Sequence, residues 1–144
     1  MTESSKLAAY HEAGHAVIAK VFGLRVRRVS IDGVGRGECS HEPCGPYPEL
    51  LICLAGIEAE ARVLGFETWC AGFTDAEIVQ RACGDLLRAN ALVETHPHLW
   101  PRAVLEVRRL IFATDVWTDI STLASQLLAA PRTRSTKVSA VPRA

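Results

Sequence analysis

The residues best suited to chemistry lie in the run Tyr10-His-Glu-Ala-Gly-His-Ala-Val17. Residues four apart on an α-helix share one face and are about 6 Å apart along the axis, so His11 and His15 can reach one metal ion. Glu12 lies about 100° round the helix from His11, where it can reach a water on that ion more easily than the ion itself. The spacing therefore predicts a zinc hydrolase site with Glu12 as the general base.

The surrounding residues favour a helix. Ser4 or Ser5 is expected to cap its start, and Gly23 follows the last apolar residue, where a C-terminal glycine belongs. Gly14 inside the helix should cost about 1 kcal/mol relative to alanine, which a close-packed neighbour would explain. The residues that recur at helical spacing are Leu7, Tyr10, Gly14, Val17, Ile18, Val21 and Phe22. The alternative is a pair of partly buried histidines spaced by chance.

A zinc hydrolase usually has three protein ligands and one open position for water, whose pKa the ion lowers to about 7. Glu12 would take a proton as this water attacks a peptide carbonyl and would pass it to the leaving amine. The third ligand must come from elsewhere in the chain. Spacing alone leaves Asp75, Asp85, Glu58, Glu60 and the later histidines as candidates.

The composition is that of a single soluble globular domain. The chain has 144 residues, of which 49% are apolar and 22% charged. The 16 basic and 16 acidic residues balance, which gives no support for nucleic-acid binding or for attraction to a membrane surface. We see no signal peptide and no apolar stretch near the roughly 20 residues that span a bilayer, so we expect a cytoplasmic protein.

The five cysteines are an odd number without CxxC spacing, which favours reduced thiols. Cys53 and Cys83 fall in apolar helical segments and are interpreted as small core residues. Cys39 and Cys44 lie on either side of His41 in a loop rich in glycine and proline. A second metal site or a disulfide there is the less favoured alternative.

A β-hairpin is predicted after the first helix. Residues 25–31 alternate in polarity, with Val29 and Ile31 on one side, as in a half-buried strand. Glycines at 33, 35 and 37 mark a turn, and residues 38–41 form the returning strand. The turn is not a phosphate-binding loop, because it lacks the terminal Gly-Lys-Ser/Thr and no helix follows it.

Helices dominate the remainder of the chain. One is predicted over residues 49–64, ending at Gly65, and another runs from the capping box that begins at Thr74 to about Val93. Residues 102–130 are helical again, with a division near Thr114-Asp115 or Thr118-Asp119. The predicted fold is therefore mainly α, a compact domain of four to five helices with a small β-hairpin after the first. Residues 1–130 form this domain, and residues 131–144, basic and without acids, are expected to be a disordered tail.

The chain from about Leu7 to Ala130 resembles the peptidase domain of the FtsH family, which are membrane-anchored AAA+ metalloproteases. The run around His11 is the most specific match, and other segments follow in the family's order. These segments are Arg28-Val-Ser-Ile31, Leu54-Ala-Gly-Ile-Glu-Ala-Glu60, Gly72-Phe-Thr-Asp75, Glu106-Val-Arg-Arg-Leu-Ile111 and Leu123-Ala-Ser-Gln-Leu-Leu128. Where the family's second helix has Gly-Gly-Arg, this chain has Ala55-Gly56-Ile57, and the segment before Asp75 is one residue shorter than expected.

The resemblance implies a Zn²⁺ cofactor held by His11, His15 and Asp75, with Glu12 as the catalytic base. Asp75 would lie at a helix start, which keeps its carboxylate ionised and ready to bind.

The resemblance also implies that the strand beside the cleft pairs with an extended substrate. Val29, Ser30 and Ile31, on an exposed edge, would then bind peptides through backbone hydrogen bonds with little regard to sequence.

The chain lacks the Walker motif and the membrane anchor of the family. We therefore expect an ATP-independent metallopeptidase whose partners are peptides or unfolded proteins, with no nucleic acid, membrane or ATP; a homo-oligomer is left open. The alternative is a catalytically silent zinc-binding module, regulatory or for interaction, derived from a peptidase. The intact Glu12 favours activity, because a silent metal site has no need of a base there. A helical bundle without metal is the third alternative.

Overall fold

The computed structural model describes residues 2–66, 82–130 and 136–138. These residues are mainly helical, with an antiparallel hairpin directly after the first helix, which confirms the predicted fold class. The helices are α1 (Glu3–Val21), α2 (Pro46–Val63), α3 (Cys83–Thr95), α4 (Trp100–Phe112) and α5 (Thr114–Ala129), with a 3₁₀ turn at Pro97–Leu99. The strands are β1 (Val26–Ile31), β2 (Gly37–His41) and β3 (Thr136–Val138).

Helix α1 is the central element and packs against α2, α5 and the hairpin. It approaches α2 closely at Gly14, where a Cβ atom would lie 2.8 Å from the carbonyl oxygen of Ala55 and 3.0 Å from the Cβ of Ala59. This confirms the close-packed neighbour predicted for Gly14. The contact brings the inner faces of the two helices together at the level of the histidines.

The ends of α1 are only partly as predicted. Thr2, rather than Ser4 or Ser5, is the N-cap, and its hydroxyl oxygen accepts a hydrogen bond of 3.0 Å from the backbone N–H of Ser5. The helix therefore begins one turn earlier than the apolar periodicity indicates. Gly23 follows the helix with a φ of +74°, a conformation that favours glycine, so the predicted C-terminal glycine is confirmed.

The sheet has the strand order β2-β1-β3, with both pairings antiparallel. In the hairpin, Val29 pairs with Cys39 and Ile31 with Gly37, and the register shifts between Val26 and Arg28. The predicted exposed edge at Val29, Ser30 and Ile31 is wrong, because β1 is the middle strand of the described sheet and these three residues are buried.

Strand β3 accounts for this difference. Thr136–Val138 pairs with Ile31, Ser30 and Val29, and so covers the second edge of β1. The prediction of a disordered tail over residues 131–144 is wrong for these three residues, because they form a strand. The backbone N–H and C=O groups along β1 offer a template for this pairing. The other residues of the predicted tail lie outside the described part of the chain.

Helices α4 and α5 lie close to the positions predicted from the apolar periodicity. The interruption at Ala113 divides the last helical region at the expected Thr114. Helix α3 ends at Thr95, close to the predicted Val93, whereas the capping box at Thr74 lies outside the described residues. None of the described helices combines the length and the apolar character needed to cross a membrane.

Candidate metal centre

His11 and His15 lie on the buried face of α1, with 3% and 6% of their surfaces exposed. Their ring centroids are 4.6 Å apart, and the rings meet edge to face. The placement of both imidazoles on one side of the helix, predicted from their spacing, is confirmed.

A carboxylate from α3 completes the cluster. Asp85 is in the first turn of α3, and its Oδ2 atom lies 2.9 Å from Nε2 of His11 and 2.9 Å from Nε2 of His15. Asp85 is one of the alternatives that spacing left open for the third ligand. Asp75, the ligand implied by the resemblance, lies outside the described residues, and its position relative to the histidines stays a prediction.

The other nitrogen of each ring is engaged by α2. Nδ1 of His11 lies 2.6 Å from Oε1 of Glu60, and Nδ1 of His15 lies 2.6 Å from the carbonyl oxygen of Ile52. Since a carbonyl or carboxylate oxygen only accepts, each Nδ1 carries the proton that it donates. In the neutral rings both Nε2 atoms therefore present lone pairs, which is the tautomer that binds metal ions.

Three acceptor atoms, two imidazole nitrogens and one carboxylate oxygen of Asp85, consequently lie close together. Lone pairs on the two Nε2 atoms and on Oδ2 repel one another at 2.9 Å unless a cation or a proton lies among them. This donor set and its outer hydrogen bonds fit a divalent metal ion, since histidine ligands commonly donate their second N–H to a carboxylate or a backbone carbonyl.

Gly56 of α2 leaves the space that the two rings occupy. A Cβ atom there would lie 2.6 Å from Nε2 of His15 and 2.7 Å from Nε2 of His11, closer than real Cβ contacts allow. The absence of a side chain at this position leaves room for the Nε2 atoms of both histidines. The site thus depends on a glycine of α2 as well as on the histidines of α1.

The pKa values of Asp85 and His11 are shifted by their contacts within the cluster. Burial would raise the pKa of Asp85, but its hydrogen bonds to His11 and His15 hold it well below its usual range. Burial opposes a charge on His11, yet Asp85, Glu60 and Glu12 together raise the pKa of His11 to about 10. A positive charge is therefore favoured at this point, and in the absence of a metal ion a proton supplies it.

Glu12 lies beside the cluster with 6% of its surface exposed. It packs against Gly37 of β2, where a Cβ atom would lie 2.6 Å from Cγ of Glu12. Burial raises the pKa of Glu12, opposed by His11 and His15. A raised pKa makes a carboxylate a stronger base, which suits the abstraction of a proton.

These groups line one cleft of about 230 Å³ between α1, β2, α2 and α3. The lining residues are His11, Glu12, His15, Gly37, Glu38, Cys39, His41, Ile52, Cys53, Gly84, Asp85 and Arg88. Strand β2 forms one wall of the cleft, whereas Val29, Ser30 and Ile31 of β1 are not among its lining residues.

From the sequence, Glu60 was one of several candidates for the third ligand. Its side chain is fully buried and holds His11. The sequence feature that could have indicated this role is a glutamate in a helix that is apolar around most of its circumference. A carboxylate buried in such a helix needs a partner.

Comparison of the chain with protein-family models, with curated proteins and with solved structures finds no match. The resemblance to the FtsH peptidase domain therefore depends on the residues alone, and the function must be argued from the site.

Proposed function

We propose that this chain is a zinc metallopeptidase that hydrolyses peptide bonds in flexible or unfolded polypeptides. The observation that carries the proposal is the convergence of Nε2 of His11, Nε2 of His15 and Oδ2 of Asp85 beside the buried carboxylate of Glu12. A ligand set of two imidazoles and one carboxylate is typical of catalytic zinc sites.

Zinc held by three protein ligands keeps an open position, where it would lower the pKa of a water to about 7 and polarise a carbonyl group. Glu60 and the carbonyl of Ile52 keep the two rings in the tautomer that binds, and Gly56 gives them room. These contacts pre-organise the ligands before the ion arrives.

Glu12 would perform the proton transfers. Its carboxylate takes a proton as water adds its oxygen to the carbonyl carbon of the scissile bond, and returns that proton to the leaving nitrogen as the C–N bond breaks. The products are a new carboxyl group and a new amine, so one water is consumed. The raised pKa of Glu12 favours the first step, because a more basic carboxylate accepts the proton of the water more readily near neutral pH.

The substrate is proposed to lie along β2 rather than β1. In the described sheet β2 is an edge strand, and four of its five residues line the cleft. An extended peptide can add to such an edge through backbone hydrogen bonds, which tolerate many sequences. The requirement for an extended chain restricts the substrates to flexible or unfolded segments.

The test is digestion of casein and of an unstructured peptide library by zinc-loaded protein, with Glu12→Gln as the inactive variant. Glu12→Gln should keep one zinc at this site and lose roughly 10²- to 10⁴-fold in kcat/KM, the usual contribution of a general base. Glu94→Gln, an exposed change on α3, is the matched control and should cleave like the wild type.

Cleavage by Glu12→Gln at the wild-type rate would reject the mechanism. A wild-type protein that holds zinc here but cleaves neither substrate would reject the peptidase proposal in favour of a silent zinc-binding module.

A further inference from the structure

A second group of metal-binding side chains lies where β2 connects to α2. His41 ends β2, Cys44 is in the connecting loop, and Glu49 is in the first turn of α2. One ligand atom from each residue lies within 4.8 Å of the others. Nε2 of His41 is 3.3 Å from Oε2 of Glu49, and Sγ of Cys44 is 3.5 Å from the same oxygen.

The proton arrangement of His41 repeats that of the histidines on α1. Nδ1 of His41 lies 2.8 Å from the backbone carbonyl oxygen of Glu42, to which it donates. In the neutral ring, Nε2 then presents a lone pair toward the carboxylate of Glu49. Two acceptors face each other at 3.3 Å, an arrangement that a cation between them would stabilise.

Glu49 is held so that its two oxygens have different neighbours. Oε1 lies 3.5 Å from Nη1 of Arg88, whereas Oε2 is turned toward His41 and Cys44. Arg88 belongs to α3, the helix that carries Asp85. The carboxylate is therefore fixed from the side opposite the cluster, and Oε2 is directed at the other two ligand atoms.

We propose that His41, Cys44 and Glu49 bind a second zinc ion, separate from the one at His11 and His15. A thiolate, an imidazole and a carboxylate are all ligands of zinc, and the sulfur disfavours the hard ions magnesium and calcium. Binding would release the thiol proton of Cys44, and the two negative ligands would balance the charge of the ion.

This zinc would join the end of β2 to the start of α2. Both elements form walls of the cleft, and His41 itself lines it. The expected consequence is a fixed separation between the edge strand and the helix that carries Gly56. The proposal does not depend on peptidase activity, because it concerns metal content and stability alone.

A disulfide was the other alternative for this loop. Cys39 and Cys44 are both free thiols in the structure. A metal site uses Cys44 together with the histidine and the carboxylate that surround it, whereas a Cys39–Cys44 disulfide would leave both of these unused.

Cobalt substitution separates the two sites. A thiolate bound to Co²⁺ gives an intense near-ultraviolet charge-transfer band, and the site at His11, His15 and Asp85 has no sulfur ligand. Chelator-treated full-length protein, kept reduced, would be titrated with Co²⁺ alone. The band should appear in the wild type and in His15→Ala, and should be absent from Cys44→Ser. Cys83→Ser, at an exposed cysteine of α3, is the matched control and should keep the band.

Zinc analysis gives a second readout. We expect two zinc ions per chain in the wild type, one in Cys44→Ser and one in His15→Ala. Glu49→Gln, which keeps the shape of the side chain, should weaken uptake at the second site if Cys44→Ser fails to fold. The inference is overturned if the wild type gives no charge-transfer band, or if Cys44→Ser keeps it. A wild-type protein that gives the band but holds no zinc at His11, His15 and Asp85 would count against the proposed function and not against this inference.

Discussion

Gly56 of α2 lies directly against the imidazole of His15: a Cβ atom at this position would lie 2.6 Å from Nε2 and 2.7 Å from Cε1 of that ring. Carbon contacts are favourable at about 3.5–4.0 Å, so such an atom would displace the ring or separate the helices. The glycine therefore limits where the Nε2 atoms of the proposed metal ligands can lie.

Gly56→Ala should lower the affinity for zinc, because the added methyl group would move Nε2 of both histidines away from Asp85. We expect a loss of roughly 10- to 100-fold, by analogy with other changes next to metal ligands. Competition with a chromogenic chelator measures it. Gly84→Ala is the matched control in a helix of the same cleft, since a Cβ there would have no neighbour within 4 Å. Equal affinities in the two variants would contradict the role given to Gly56.

The identity of the third ligand can be decided by two matched substitutions. Asp85→Asn should abolish stoichiometric zinc binding at the first site, since it removes the charge that lies 2.9 Å from both Nε2 atoms. Asp75→Asn should retain the zinc. The reverse result would support the ligand implied by the resemblance and reject Asp85.

The local part of the site was predictable because helix geometry alone places His11 and His15 together and Glu12 beside them. Gly14 was also informative, since a glycine inside an apolar helix indicates a close neighbour. The proximity of Asp85 to the histidines was not predictable, because it depends on how α3 packs on α2 and joins residues 70 positions apart in the chain. Sequence spacing carries no information about that packing.

In the sheet, too, local features were predictable from the sequence and long-range pairing was not. The hairpin followed from alternation and turn glycines, which are local signals. The pairing of Thr136–Val138 with β1 joins segments about a hundred residues apart, and a basic, proline-containing tail gives no sign of it. Without that pairing Val29, Ser30 and Ile31 were expected on an exposed edge, whereas in the described sheet the edge strands are β2 and β3.

Glu60 should act as a positioning residue for His11. Glu60→Gln keeps an oxygen that can accept from Nδ1 but removes the charge, so the ring becomes a weaker ligand. We expect zinc affinity to fall by roughly 10- to 100-fold. Thermal unfolding of the zinc-free variant checks that the fold is retained. Unchanged zinc affinity in a folded Glu60→Gln protein would show that the 2.6 Å contact has no influence on the metal.

The stability of the zinc-free protein should depend on pH through His11. Its pKa is raised from about 6.5 in the unfolded chain to about 10 in the folded protein. The folded state thus binds the proton more tightly, and the resulting stabilisation is complete below pH 6.5 and is lost as the pH rises through about 10. Urea unfolding with a chelator present, at several pH values from 6 to 10, should show this decline.

The control for this pH effect is His11→Gln, in which the decline should be smaller. The zinc-loaded wild type should show no such decline in stability with pH, since the ion replaces the proton on His11. Parallel pH profiles for the zinc-free wild type and His11→Gln would contradict the assignment.

Peptide binding along β2 can be examined with Ser40→Pro. Proline removes a backbone N–H and adds a ring at the edge strand, so KM for long peptides should rise while zinc content is unchanged. Ser40→Ala, which leaves the backbone intact, should behave like the wild type. If Ser40→Pro binds zinc and shows the wild-type KM, substrates do not pair with this edge.

The most direct measurement of the central claim is anomalous diffraction at the zinc edge from crystals of the zinc-loaded protein. We expect a peak bound by Nε2 of His11, Nε2 of His15 and Oδ2 of Asp85, each at about 2.0–2.2 Å, with Glu12 beside the fourth position. No peak at these atoms, or a zinc ion there that excludes Asp85, would contradict the account.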